Sequence, residues 1–443
     1  MNKLPEERLA EKPATPSLGH QLRSSRLPIL FWVTLITTLI ACTFTGEAFF
    51  FYTISGFAWI VTLAFAGMFL TANLTRVTFP IRIWLPWMLI VFFYSYLSEY
   101  TNLQRSIMIV CPIIVGIAAS TARVTDKQLE SVFVGLKIFA FTLFVIIAFI
   151  TGLLLTGVLP KRTSLAPQSI TALFFCSIFV SGYSFGFVKD IFWYALVSFI
   201  PIIALVRGAI VVAGLSLPLS FSPQKIQVRF IMLILVSIGG VALFYTDRVQ
   251  SKMFIEGKGT VDDLTSYENV ATHGRRHMAE MMTVEIAKDP WLGHGANASE
   301  DYVVKLTAGQ LTHPHNDWLR LLFDYGIFGT AVFTITISAQ VINLLRRGRR
   351  SNGNRRILFY ACASSFLSQL LIMFTDNILL YAAFFGNIQF VVIGLAYAAD
   401  QREIRERESE EVEESERGRH RRSRSTRSRH HQHVSEDREP MSP

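Results

Sequence analysis

A chain of 443 residues is long enough for two or three soluble domains, but 51% hydrophobic residues and 36 phenylalanines exceed what such cores take up. The formal charge of +9 is not gathered in one basic domain. From Asp400 onward 11 basic and 12 acidic residues nearly cancel, so the excess lies on short loops between apolar runs, which points to membrane topology and away from nucleic-acid binding.

In chain order, the polar head 1–26 is too long and too charged for the first part of a cleavable signal, and no small-residue cleavage site follows it. It is expected to be a cytoplasmic N-terminal segment. Apolar runs then occupy 27–46, 48–72, 83–98, 106–121, 131–156, 167–187, 191–206, 208–221, 230–245, 318–345, 357–374 and 378–398. Since a bilayer span takes about 20 apolar residues, residues 27–398 are expected to form an all-α, polytopic membrane domain of about twelve transmembrane helices. The cysteines Cys42, Cys111, Cys176 and Cys362 all fall inside these runs, without metal-ligand spacing, and read as packing residues.

Alternate loops collect the positive charge: Arg76 and Arg82, Arg123 and Lys127, Lys189, Lys225 and Arg229, and the cluster 346–356. The positive-inside rule makes that side, with both termini, the cytoplasm. Residues 191–221 are open to a second reading as one helix with Arg207 at its middle. That reading reverses everything downstream and puts Arg346, Arg347, Arg349, Arg350, Arg355 and Arg356 outside, so two short helices meeting at an outer, wet mouth are expected instead.

The long loop 246–316 is then on the outer side. It carries seven Lys or Arg against ten Asp or Glu, so any cation that matters there is placed individually. Met278, Met282, Ile286 and Ala287 recur at helical spacing, Asp289-Pro290 ends that helix, and Gly293 and Gly295 make a tight turn. The tail 399–443, acidic around 408–416 and then rich in Arg and Ser, buries too little apolar surface to order itself and is expected to be a disordered cytoplasmic tail.

The sharpest local feature is Thr312-His313-Pro314-His315-Asn316-Asp317-Trp318 at the start of the tenth apolar run. It sets His315 at the outer lip of a helix that Asn316 or Asp317 caps. The partial positive charge of that helix end favours a neutral imidazole, able to act as general base, and can hold a phosphate oxygen. Gly326, Gly329 and Thr330 are expected on a small-residue face that admits a neighbouring helix. His273, His277, His294, His313 and His315 share the outer face, but their spacing matches no recognised metal set; no metal or cofactor is expected. Arg207, Arg105, Lys161 and Arg162 fall on the outer side against the charge trend, and Arg275 and Arg276 lie in the loop. Cations so placed suggest an anionic ligand, and guanidinium matches phosphate bidentately.

His315-Asn316 followed by Gly326-Ile327-Phe328-Gly329 resembles the signature of the O-antigen ligase and exopolysaccharide polymerase superfamily. Gly274-Arg275, then Pro290-Trp291-Leu292-Gly293-His294-Gly295, is similar to that family's outer-loop pattern, and Arg207-Gly208 sits where the family carries an Arg-Gly. One departure is that no aromatic follows the loop arginine, which leaves Arg275 and Arg276 both open. The resemblance covers most of 27–398. It implies a GT-C-like membrane glycosyltransferase of the bacterial inner membrane, independent of metal, working on the periplasmic side. A glycan would pass from undecaprenyl diphosphate to lipid A–core or to a growing glycan. Arg207 and Arg275 would hold the diphosphate and His315 would activate the acceptor hydroxyl or orient it, with Arg276, Asn316, His313, Arg105, Lys161 and Arg162 as further substrate contacts. The competing reading is a twelve-helix transporter of a polysaccharide precursor or other anionic solute.

Overall fold

A computed structural model of the chain describes residues 29–44, 48–49, 52–100, 102–158, 165–266, 269–271 and 274–401. The expected N-terminal segment 1–26, the tail beyond 401, and Lys161, Arg162 and His273 lie outside the described residues.

Each apolar run forms a helix: α1 Ile29–Thr43, α2 Ile54–Ala72, α3 Ile81–Leu97, α4 Leu103–Ala119, α5 Asp126–Leu155, α6 Ala166–Ser184, α7 Asp190–Ala204, α8 Arg207–Ser216 and α9 Ile226–Phe244. After the long loop come α14 Asp317–Arg350, α15 Gly353–Ile372 and α16 Ala382–Gln401, whose first turn, Ala382–Gly386, is π-helical. The loop itself carries α10 Asp247–Met253, α11 Val261–Ser266, α12 Arg275–Ile286 and α13 Ala298–Leu306. A two-residue hairpin, Ala48–Phe49 with Tyr52–Thr53, interrupts the helices between α1 and α2.

The chain is a helical, multi-pass membrane protein, but the helices are uneven. Among the described residues, 5 (α5, α6, α9, α14 and α16) are long and apolar enough to cross a bilayer by length and composition. Six others, with α2 taken from Gly56, are apolar helices of 10–17 residues. The difference from twelve full spans has physical causes. Leu205 takes a left-handed conformation (φ 52°), which ends α7 and lets α8 start two residues later; backbone broken at membrane depth needs protein or a wet cavity beside it. α15 has 20 residues, but its apolar character is diluted by Arg355, Arg356, three serines and Gln369.

The centre of the bundle is α6 and α16, whose apolar windows are almost entirely buried, whereas α9 has no buried residue and lies at the edge. Lipid tails are as apolar as leucine, so burial alone does not hold such helices together; close packing and interhelical hydrogen bonds do, at about 0.6–2 kcal/mol each. The Thr171 hydroxyl donates to the Phe384 carbonyl (2.8 Å), Gln168 Nε2 to the Cys42 carbonyl (2.7 Å) and Thr38 to the Ala383 carbonyl (2.7 Å). Serine pairs join α6 to α15 (Ser177–Ser368, 3.2 Å) and the segment after α8 to both (Ser181–Ser222, 2.7 Å; Ser220–Ser364, 3.1 Å). The loop has a core of its own, built from Met278, Met282, Ala298 and Val303 against Phe323 of α14. The expected amphipathic helix is therefore α12, with Met278 and Met282 on its buried face.

Candidate active site

Three of the residues picked out in the sequence, Arg207, Arg275 and His315, lie on or beside the long loop. Arg207 opens α8, and its Nη2 donates to the Ala271 carbonyl of the loop (3.3 Å). Gly208 is needed beside it, because a Cβ there would stand 2.1 Å from the Thr375 hydroxyl and 2.9 Å from Thr375 Cβ. That close approach sets the start of α8 directly against the segment after α15, one residue from Asp376. Arg275 opens α12, and its charge acts on Arg207, on Lys252 of α10 and on Tyr381.

His315 closes the group. Its Nδ1 faces Asp376 Oδ1 at 3.8 Å, an ion-pair separation longer than a hydrogen bond. Asp376 is buried and accepts from the Tyr381 hydroxyl (3.3 Å) and from the Asn377 backbone N–H (2.8 Å). The imidazole is thus offered a carboxylate on one nitrogen while the ring as a whole stays a quarter exposed. His315 also has φ 51°, a left-handed conformation that costs a non-glycine residue on the order of 1–3 kcal/mol and that collects at functional sites. The next residue makes that turn useful: Asn316 Oδ1 accepts from the Leu319 N–H (3.0 Å) and caps α14. Asp317, buried, accepts from the Leu379 N–H (2.7 Å) and donates its own N–H to the Met373 carbonyl (2.8 Å), and Trp318 Nε1 donates to the Leu370 carbonyl (3.1 Å). The base of α14 is therefore pinned along the segment that carries Asp376.

The two glycine motifs are parts of one joint. Gly326 (φ 63°, ψ −170°) breaks α14 in a conformation essentially restricted to glycine. The loop 290–295 inserts at the break and satisfies the freed backbone groups. His294 and Gly295 N–H donate to the Phe323 and Asp324 carbonyls (2.8 and 3.0 Å), and Ile327 and Phe328 N–H donate to the Pro290 and Trp291 carbonyls (2.8 and 3.1 Å). Gly326 is thus a break in the helix and not the small-residue helix face expected from spacing; of that trio, Gly329 lies near Ile90 of α3.

One layer behind His315 lies a buried ion network. Arg320, 1% exposed, reaches Glu300 Oε1 (3.1 Å), Asp324 Oδ2 (3.5 Å) and Asn297 Oδ1 (3.2 Å). Arg105 and His313 reach Glu300 as well, at 3.3 and 3.4 Å. Burial alone raises the Glu300 pKa, but the His313 hydrogen bond with the Arg320 and Arg105 charges outweighs it and holds the carboxyl at about 2. Two of the expected substrate contacts, Arg105 and His313, are in this way engaged inside the protein. Arg276 is exposed and donates to Glu280 (2.8 Å) on the surface of α12.

Several members of the site were not picked out in the sequence. Arg320 and Asp324 signalled themselves by i,i+4 spacing in an apolar helix. Lys252 and Arg248 were counted among the loop cations but not separated from the rest. Asp376 and Tyr381 carry no local signal in the sequence; they reach His315 only through the fold.

No curated protein matches the chain. A family model described as O-Antigen ligase matches residues 191–334, about a third of the chain, and that third holds Arg207, Arg275, the inserted 290–295 loop, His315 and the Gly326 break. Over this segment the chain is similar to the O-antigen ligase family.

Proposed function

We propose that this protein is a membrane glycosyltransferase that moves a glycan from undecaprenyl diphosphate to an acceptor hydroxyl, as in O-antigen ligation or polymerisation. The observation that carries the reading is the meeting of Arg207 and Arg275 with the His315–Asp376 pair across the Gly208–Thr375 contact. In the transfer, the bond from the anomeric carbon to the diphosphate oxygen breaks and one to the acceptor oxygen forms. The acceptor proton passes to His315 through the nitrogen turned away from Asp376, and the prenyl diphosphate leaves with the broken bond's electron pair. Two guanidinium groups at the phosphates stabilise that charge as it develops, and Asp376 orients the imidazole and supports the imidazolium.

The same reading makes all twelve apolar helices crossings of the bacterial inner membrane. Residues 1–26 and 399–443 are then cytoplasmic, and the loop 246–316 with its site faces the periplasm. Charge on the alternate loops supports this orientation. Lipid A–core and a growing glycan are the two acceptors to be told apart. Purified protein in nanodiscs, given lipid-linked glycan and each acceptor in turn, should form product without ATP or added metal. Movement of the glycan lipid across proteoliposomes without any transfer would replace the enzyme with a transporter.

A further inference from the structure

α7 and α15 both end near the candidate active site, α7 at Leu205 beside Arg207 and α15 just before Thr375 and Asp376. Their opposite ends help to line a separate cavity of about 250 Å³, whose walls include Glu130, Phe133 and Lys137 of α5 with Phe187, Asp190 and Asn354. The 20 residues of α15, about 30 Å of helix, lie between the two places. Inside the cavity Lys137 Nζ pairs with Asp190 Oδ1 (2.6 Å); the Asp190 side chain is buried, while that of Lys137 stays about a quarter exposed. Gly182 of α6 makes room for this carboxylate, because a Cβ there would overlap Asp190 Oδ2. The pair joins α5 to α7 and uses one of the three donors of the ammonium. It does not account for Glu130. That carboxylate is exposed at the same cavity, two turns before Lys137 on the same face of α5, and among the described residues it has no ion pair or hydrogen bond.

We propose that this cavity holds the headgroup of an ethanolamine phospholipid. Its phosphate takes the remaining donors of Lys137 and the Asn354 amide, its ammonium meets Glu130, and its acyl chains run along α5. Charge selects that class. The cavity carries two carboxylates and one ammonium. Asp190 already balances Lys137, so the open carboxylate repels a headgroup of net negative charge and attracts one that brings its own cation. Glu130 and Lys137, seven residues and about 10 Å of helix axis apart, give the two charges of a zwitterion separate partners. Depth points the same way: Lys137 lies six residues inside the apolar run that begins at 131, where a cation gains from every anionic partner that reaches it. The chains have a track as well. Val134, Ile138, Phe141 and Val145 form an exposed apolar stripe on α5 that starts beside Glu130 and Lys137 and continues along the helix. None of this depends on the transfer reaction or on its donor.

The test is lipid binding to the purified chain by native mass spectrometry, titrating phosphatidylethanolamine or phosphatidylglycerol with the same acyl chains. Wild type should bind the ethanolamine lipid roughly five- to tenfold more tightly than the glycerol lipid. Glu130→Gln changes an exposed residue and leaves the Lys137–Asp190 pair in place, so it should fold normally. It should erase the preference by weakening the ethanolamine lipid alone, and Glu130→Lys should reverse it. A phosphate-free amine on the same two chains should bind wild type several-fold more weakly than the ethanolamine lipid, because it leaves Lys137 without its second anion. Equal affinity of wild type for the two phospholipids overturns the proposal, as does a preference that survives in Glu130→Gln. Equal binding of the phosphate-free amine overturns it by removing the phosphate from the contact. Displacement of the lipid by an equal concentration of soluble glycerophosphoethanolamine overturns it too, because the ligand would then be a small zwitterion and not a membrane lipid.

Discussion

Gly293 and Gly326 lie backbone to backbone: a Cβ on Gly293 would stand 2.5 Å from the Gly326 nitrogen, and one on Gly326 would stand 2.4 Å from the Trp291 carbonyl oxygen. Both have positive φ, 73° and 63°. Neither neighbour can give way, because the atoms are main chain, and the Trp291 carbonyl accepts from the Phe328 N–H one of the hydrogen bonds that bridge the helix break. The joint fixes the loop, and with it α12 and Arg275, to the helix whose first turn holds His315.

Gly326→Ala is therefore expected to disrupt the joint, costing about 1–3 kcal/mol from backbone conformation alone before the clash is counted. Thermal unfolding in detergent should show a clear drop in midpoint, with transfer lost. Gly152→Ala, in α5 with open space around it, is the control. Equal midpoints for the two variants would mean that the break is not the fixed joint described.

His315→Ala should remove general-base assistance and lower kcat by roughly 10²–10⁴. Asp376→Asn keeps the shape and the Tyr381 contact but loses the charge facing the imidazole, so it should lower kcat by a smaller factor with KM for the donor little changed. Steady-state kinetics with purified protein checks both. Full turnover in Asp376→Asn would remove that carboxylate from the mechanism.

The two adjacent loop arginines should behave differently. Arg275 acts on Arg207, Lys252 and Tyr381, so Arg275→Ala should cost at least about 10² in kcat/KM. Arg276 is held by Glu280 at the surface, where such a pair is worth about 0.2–1 kcal/mol, and Arg276→Ala should keep most activity. Arg207→Lys should be strongly impaired, because a point charge does not reproduce a bidentate fork. A reversed ranking of Arg275 and Arg276 would show that the start of α12 turns differently when substrate is bound.

What was legible in the chain follows the strength of the physical signal. Runs of apolar residues punctuated by basic loops are unmistakable, and each forms a helix, although among the described residues five rather than twelve have the length and composition of a full span. The break beside Arg207 was readable because a guanidinium inside one long apolar helix contradicted the charge pattern downstream. Gly326 was misread because a glycine spaced three from another signals close helix packing as well as a break, and only the inserted loop decides between them. Asp376 and Lys252 owe their importance to neighbours 61 and 47 residues away in sequence, and no local pattern carries that information. Lys161 and Arg162 fall outside the described residues, so their expected contact with substrate stands as a proposal.

Glu300 ties the loop to α14 by a charge buried against Arg320, and this makes the joint sensitive to acid. In the folded chain its carboxyl is held at about 2 against an ordinary 4.5. As pH falls the unfolded chain takes up this proton first, so the stabilisation is full above about 4.5 and drains away as pH approaches the folded value. Glu300→Gln should then destabilise at neutral pH by about 3 kcal/mol, because it leaves the buried Arg320 with an incomplete set of partners. Thermal midpoints of wild type and variant should converge as the pH is lowered through this window, since the wild type loses what the variant already lacks. A gap that stays constant down to the acid limit would mean that the Glu300 charge does not hold the loop, and that the shared apolar core of Met278, Met282 and Phe323 does so alone.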